Sequence, residues 1–258
     1  LAKSLVFGFA VGGGLCILLG MLDTSVKGRN EIERCMKDAV ILGSVPARPE
    51  RENELEGMKN SRSLLAEAFR SIRTSLSLSL SSRGLRCFAV TSSGPGDGKT
   101  TVALNLAIAL ARDGRKVLLM ECDMRRPRLK DVLSEDATAP REKGLSRVFV
   151  GELELGDVVF PAPTQAGLSI ALCGPIPPNP GELLGTERFN QVLEQAKSDY
   201  DYVILDSPPV LNVADAAILA GNGVPLLYVV RLFKTTRHEL RLASDRMQTI
   251  QAKCAGVI

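Results

Sequence analysis

Residues 91–101, TSSGPGDGKTT, decide the fold. They follow the apolar run CFAV (residues 87–90) and open a stretch with helical spacing. A strand, a glycine-rich turn and a helix beginning with Lys-Thr form a phosphate-binding loop, or P-loop. Glycines let backbone N–H groups turn inward around the phosphates. Lys99 supplies charge to the β- and γ-phosphates, and Thr100 offers a hydroxyl to Mg²⁺. The helix that follows points its positive end at the same place. One position departs from the usual pattern: Ser93 stands where the first glycine is expected. The predicted nucleotide-binding residues are Ser93, Gly94, Pro95, Gly96, Asp97, Gly98, Lys99, Thr100 and Thr101.

Working outward, the chain alternates strand and helix. SLLAEAFRSIRTSL has apolar residues at helical spacing: Leu65, Ala68, Phe69, Ile72 and Leu76. The strands read as RCFAVTSS, KVLLMECD, LSIALCG, DYVILDSPP and VPLLYVVRL. Between and after them lie helices over KTTVALNLAIALARDG, PGELLGTERFNQVLEQAKSDY (taken as one long helix), DAAILAG and TRHELRLASDRMQTIQAKCAG. The strands are continuous Val/Ile/Leu runs, which marks a parallel sheet covered on both faces. The expected fold class is α/β, P-loop NTPase-like, with a mostly parallel sheet between helices.

Three carboxylates fall at strand ends, where ligands bind in open α/β sheets. Asp206 ends YVILD, the position of a metal-binding Walker B carboxylate. Glu121 and Asp123 lie two apart in LLMECD, on one side of a strand, within reach of Mg²⁺ or of an attacking hydroxyl's proton. Arg125, Arg126, Arg128 and Lys130 follow. They read equally as a solvated basic loop or as a binder of phosphate or an acidic segment.

Composition excludes other classes. Trp is absent, aromatics are 4% and net charge is +3. There is neither a base-stacking platform nor the basic excess of a nucleic-acid binder. Six scattered cysteines without a CxxC pair and one histidine, His238, argue against zinc and fit a reducing cytoplasm.

Residues 4–22, SLVFGFAVGGGLCILLGML, carry no charge. As a helix they span about 28 Å, close to a bilayer's hydrocarbon thickness. No basic n-region or cleavage site marks a signal peptide. A transmembrane helix is therefore expected over 1–22. Gly8 and Gly12 have small-xxx-small spacing, and Lys27 and Arg29 place the following side in the cytoplasm. Residues 23–60 read as a juxtamembrane connector, with a helix near GRNEIERCM, a short strand AVILGSVP ending at Pro46, and a charged linker ARPERENELEGMKNS. Residues 61–258 form the P-loop domain. Leu at position 1 and a final CAGVI that reads as mid-strand suggest a fragment of a longer chain.

Together these motifs make the chain resemble the cytoplasmic domain of a bacterial protein-tyrosine kinase joined to the last membrane helix of a polysaccharide co-polymerase, an exopolysaccharide chain-length determinant. SSGPGDGKTT resembles that family's Walker A, LLMECDMRRP its Walker A′, VILDSPP its Walker B, and GPIPPNPGELL a Pro-rich block before a helix. In EAFRSIR, Glu67, Arg70 and Arg73 fit the Glu-x-x-Arg-x-x-Arg element through which such kinases form rings. The resemblance implies ATP and Mg²⁺ as cofactors and phosphoryl transfer to tyrosine, in trans between subunits, by Lys99, Glu121, Asp123 and Asp206. It implies metal binding by Thr100, Asp123 and Asp206; Glu121, one methylene longer than the usual Asp, is on spacing grounds the better-placed proton acceptor. It also implies self-association, tyrosine-containing tails and the polysaccharide polymerisation and export machinery as partners, no nucleic acid, and an inner-membrane location with the kinase domain in the cytoplasm.

Two features depart from the family. Glu121 replaces the usual first Asp of Walker A′, and no C-terminal tyrosine cluster is present. The tyrosines are Tyr200, Tyr202 and Tyr228. Two other readings compete. A Min- or Par-like ATPase would carry a signature Lys where Gly94 stands. A non-catalytic, ATP-binding assembly regulator is not separated from the kinase by these residues.

Overall fold

The computed structural model describes residues 23–37, 39–46, 63–81, 84–133, 142–163 and 165–258, with the isolated positions Gly12 and Gly14. One seven-stranded sheet runs through them: β1 (Cys87–Ser92), β2 (Val117–Glu121), β3 (Val159–Pro161), β4 (Leu168–Ala171), β5 (Tyr202–Asp206), β6 (Leu226–Val229) and β7 (Cys254–Val257). The spatial order is β3-β4-β2-β5-β1-β6-β7. Every pairing is parallel except β3 against β4.

The helices are α1 (Arg29–Cys35), α2 (Leu64–Ser81), α3 (Lys99–Arg112), α4 (Leu129–Val132), α5 (Leu145–Phe149), α6 (Pro180–Leu184), α7 (Glu187–Asp199), α8 (Asp215–Gly221) and α9 (Arg237–Thr249). Successive strand residues face opposite sides, so the apolar runs feed two cores. Phe88, Val90, Leu119, Ile204 and Leu227 pack with Phe69, Ile72 and Leu76 of α2 and with α3. Ala89, Leu118, Met120, Val203 and Leu205 pack with Phe189 and Val192 of α7 and Leu240 of α9. Each fully buried Leu, Ile or Phe contributes about 1.5–3 kcal/mol. Burial on both faces is why these strands show no polar alternation.

Several expectations change. The helix expected over 236–256 ends at Thr249, and its last residues, from Cys254, belong to β7. The long helix expected over 180–200 is two, α6 and α7, broken at Gly185–Thr186, where the Thr186 hydroxyl accepts the Phe189 N–H at 3.1 Å and caps α7. The sequence also hides β3, a three-residue edge strand ending at Pro161, too short for periodicity and closed to further pairing by proline. AVILGSVP forms no strand. Ile41 makes one parallel bridge to Val257, and the Leu42 amide donates to the Val257 carbonyl at 2.9 Å.

The first half of the expected connector is part of the fold. Val26, Ile32 and Met36 are buried in one core and Leu42 in the other. The Val26 amide donates to the Thr235 carbonyl at 2.8 Å. The charged linker expected over 47–60 and the membrane helix over 1–22 lie outside the described residues, Gly12 and Gly14 apart. Among the described residues no helix is long and apolar enough to cross a membrane.

Candidate active site

The P-loop connects β1 to α3. Gly96 (φ 76°) and Gly98 (φ 95°) hold left-handed conformations that a side chain would strain. Asp97 turns back into the loop: Oδ2 accepts the Gly94 N–H at 2.9 Å, and Oδ1 pairs with Lys234 at 3.1 Å. Ser93 is anchored by a 2.5 Å hydrogen bond between its Oγ and the hydroxyl of Tyr228, a buried residue of β6. Pro95, Gly96, Gly98, Lys99, Thr100 and Thr101 line an open cleft of about 590 Å³, in the range of ligand pockets. Ser93, Gly94 and Asp97 do not line it; their contacts shape the loop from behind.

Strand register sets the carboxylates. Asp206 pairs with Val90 of β1 on one side and Glu121 of β2 on the other, so the tips of β2 and β5 are level and β1 runs on to Ser92. The segment after β5 is stitched to β1: the Ser207 hydroxyl donates to the Val90 carbonyl at 2.9 Å, and the Thr91 hydroxyl to the Pro208 carbonyl at 2.9 Å. Asp206 is fully buried, and neither of its carboxylate oxygens has a well-formed hydrogen bond. Burial pushes its carboxyl up to about 7; the Thr100 hydroxyl and Lys99 charge oppose this, and the Asp123 and Glu121 charges add to it.

Glu121 is equally buried and differently used. Oε1 accepts the Leu129 N–H at 2.7 Å, and Oε2 accepts the Cys173 N–H at 3.0 Å. Burial raises its carboxyl, and these amides oppose the rise. It does not line the cleft. The expectation that Glu121 takes a substrate proton therefore meets an obstacle: both oxygens already hold backbone donors. Asp123, two residues on and past the strand end, does line the cleft, with Oδ1 accepting the Arg126 N–H at 3.1 Å. Burial raises its carboxyl too, while the Arg126 amide and Lys99 lower it.

Of the basic run, Arg125, Arg126 and Arg128 line the cleft. Arg125 is also half of a bidentate pair with Asp215 (2.9 and 3.0 Å), whose side chain is 1% exposed at the start of α8. Sequence reasoning missed Asp215, Arg231 and Lys234. Arg231 lines the cleft and donates to the Gly96 carbonyl at 2.8 Å; Lys234 donates to the Pro95 carbonyl at 2.6 Å. Nothing local in VVRLFKTT marks these contacts, because strand order alone puts β6 beside β1.

Hard oxygen donors, the Thr100 hydroxyl and the Asp206 and Asp123 carboxylates, suit Mg²⁺, and the unengaged oxygens of Asp206 fit a metal-directed role. Among the described residues no three His, Cys, Asp or Glu side chains form a protein-only metal cluster. On α2, Glu67 and Arg70 are exposed and paired with each other, whereas Arg73 is 21% exposed and paired with Asp113 at the end of α3 (3.0 Å).

Comparison with known proteins agrees with this geometry. The AAA domain family matches residues 85–229, more than half of the chain. Tyrosine-protein kinase YwqD of Bacillus subtilis is 34% identical over 201 residues, covering 78% of this chain and 83% of that protein. Tyrosine-protein kinase ptk of Acinetobacter johnsonii is 30% identical over 269 residues, covering 100% of this chain but 36% of that protein. The kinase domain of Escherichia coli tyrosine kinase ETK superposes with a TM-score of 0.79 at 30% identity, covering 90% of this chain and 93% of that domain.

Proposed function

The chain belongs to the bacterial tyrosine-protein kinases, and from that membership we propose that it transfers the γ-phosphoryl group of ATP to tyrosine. One observation carries the reading: Lys99 and Thr100 at one helix start and Asp123 just past β2 line the cleft, and Asp206 lies buried at the tip of β5, where the Lys99 charge and the Thr100 hydroxyl act on its carboxyl. Phosphoryl transfer needs positioning and charge neutralisation more than covalent help from the protein. The P-loop amides and Lys99 hold the β- and γ-phosphates. Thr100 and Asp206 would hold Mg²⁺, which when bound neutralises charge on the phosphates, leaving Asp123 to act on the hydroxyl. A bond forms from the tyrosine oxygen to the γ-phosphorus as the bond to the ADP oxygen breaks. Asp123, the carboxylate facing the cleft, takes the hydroxyl proton. The unperturbed tyrosine pKa is near 10, and a loose transition state asks little of this base. Glu121 acts through Asp123: it ties the loop that carries Asp123 to the ends of β2 and β4.

By the family resemblance, the kinase works within a ring of copies docked through Glu67, Arg70 and Arg73, modifies tyrosine-bearing tails and regulates capsular or exopolysaccharide polymerisation and export. The apolar segment 4–22 anchors it in the inner membrane, with the kinase domain on the cytoplasmic side. A reporter fused after residue 60 is expected in the cytoplasm; a periplasmic signal refutes this topology.

The test of activity is a radiolabelled-ATP assay with a tyrosine-rich peptide. Label on the peptide, lost in Lys99→Met, supports the kinase. Inorganic phosphate without labelled peptide points instead to a Min-like ATPase. Nucleotide binding with neither product points to a non-catalytic regulator.

A further inference from the structure

We propose that Arg231 and Lys234, on the loop between β6 and α9, are positioning residues for nucleotide binding, which they serve by fixing the orientation of two P-loop peptides. The inference rests on the P-loop being the ATP site. Arg231 holds the Gly96 carbonyl at 2.8 Å and Lys234 the Pro95 carbonyl at 2.6 Å. A trans peptide is planar, with its C=O and N–H pointing opposite ways. Holding the Pro95 oxygen therefore turns the Gly96 N–H the other way, and holding the Gly96 oxygen does the same for the Asp97 N–H. Two amides are set by cations that the P-loop sequence does not contain. The charged donors also polarise both peptides, strengthening the N–H groups as donors.

The loop is built to stay in place. Lys234 is fixed a second time by Asp97, whose carboxylate is 3% exposed. The Arg231 amide donates to the Thr235 hydroxyl at 3.2 Å, and the Thr235 amide returns to the Arg231 carbonyl at 2.9 Å. Between them Phe233 adopts φ 60°, a left-handed conformation unusual for a bulky residue. From behind, residues 24–26 pair with the loop. The Phe233 amide donates to the Val26 carbonyl at 2.8 Å, and the Arg237 amide to the Thr24 carbonyl at 2.9 Å. The strap therefore links the P-loop to the start of the connector.

The experiment measures dissociation constants of MgADP and MgATP by calorimetry for the full chain, wild type and Arg231→Ala, Arg231→Lys, Lys234→Ala and the double alanine variant. Melting temperatures without nucleotide are taken alongside. P-loop amides cradle phosphates that ADP and ATP share, so each alanine is expected to weaken both nucleotides by the same factor, about tenfold. Arg231→Lys recovers most of that loss, and KM for ATP rises more than kcat falls. Unchanged affinity in the double variant overturns the proposal. So does a loss confined to ATP, which would make Arg231 a direct γ-phosphate ligand. Should Lys234→Ala unfold the protein by leaving Asp97 unpaired, the Arg231 pair still decides, since its partner is an uncharged carbonyl. Failure of the wild type to bind either nucleotide refutes the P-loop reading instead.

Discussion

The tips of β2 and β5 lie side by side, Glu121 level with Asp206, and each buries a carboxylate. Both acids are pushed above their ordinary range chiefly by burial. Their surroundings separate them. Glu121 holds two backbone amides, at 2.7 and 3.0 Å, whereas Asp206 has neither oxygen well engaged. A buried carboxylate that is fully bonded within the protein is part of the scaffold. One left without partners costs stability in the metal-free protein, and only binding repays that cost. Residue type does not distinguish the two tasks; the neighbours do.

The sharpest way to break this comparison is Asp206→Asn, expected to slow Mg²⁺-dependent transfer by about 10²–10³-fold, the scale for removing one charge-stabilising group. Wild-type rates would show that Asp206 is scaffold after all. Glu121→Ala should act on the fold instead. It leaves two buried N–H groups without acceptors, at about 1–3 kcal/mol each, and a domain of this size should lose about 5–15 °C in melting temperature. Glu121→Gln keeps one acceptor and should lose roughly half as much. A variant with unchanged melting temperature and abolished transfer would restore Glu121 as a direct participant.

The pH dependence of the metal-free protein sharpens the contrast further. The Asp206 carboxyl titrates at about 7 in the fold and near 3.9 unfolded. Between those values the folded state holds a proton that the unfolded state has lost, so stability falls as pH rises through this window. The fall from Asp206 should be a few kcal/mol, and Asp206→Asn should reduce the slope in chemical-denaturation curves, leaving the part contributed by Glu121 and Asp123, which burial also raises. A flat wild-type profile would mean that Asp206 is not buried uncompensated. The smallest stability effect belongs to α2. The Glu67–Arg70 pair is exposed, so breaking it costs about 0.2–0.5 kcal/mol. Replacing Glu67 and Arg70 by alanine should barely move the melting temperature, whereas adding Arg73→Ala also removes the less exposed contact to Asp113; the triple change should shift the mass in light scattering from oligomer to monomer. An unchanged mass removes the docking role.

The sequence by itself determined the phosphate loop and the sheet. Gly96, Gly98, Lys99 and Thr100 act through backbone freedom, charge and a helix start, all properties of a few consecutive residues. The Val/Ile/Leu strands are legible because burial on both faces leaves a continuous apolar record. Local breaks were harder to read: Thr186 caps a helix that periodicity alone would run on, and β3 is shorter than any repeat. The packing of Val26, Ile32, Met36 and Leu42 against the sheet was hidden too, since scattered apolar residues do not say which surface they cover. Only the tertiary structure decided what the site residues do. Strand order brings Arg231 and Lys234 onto the P-loop from more than a hundred residues away. Register sets Glu121 beside Asp206, and the chain's return past Leu129 and Cys173 decides that one carboxylate is satisfied and the other is not. Hydrogen-bond satisfaction is a property of what surrounds a group in space, and spacing along a chain does not record it.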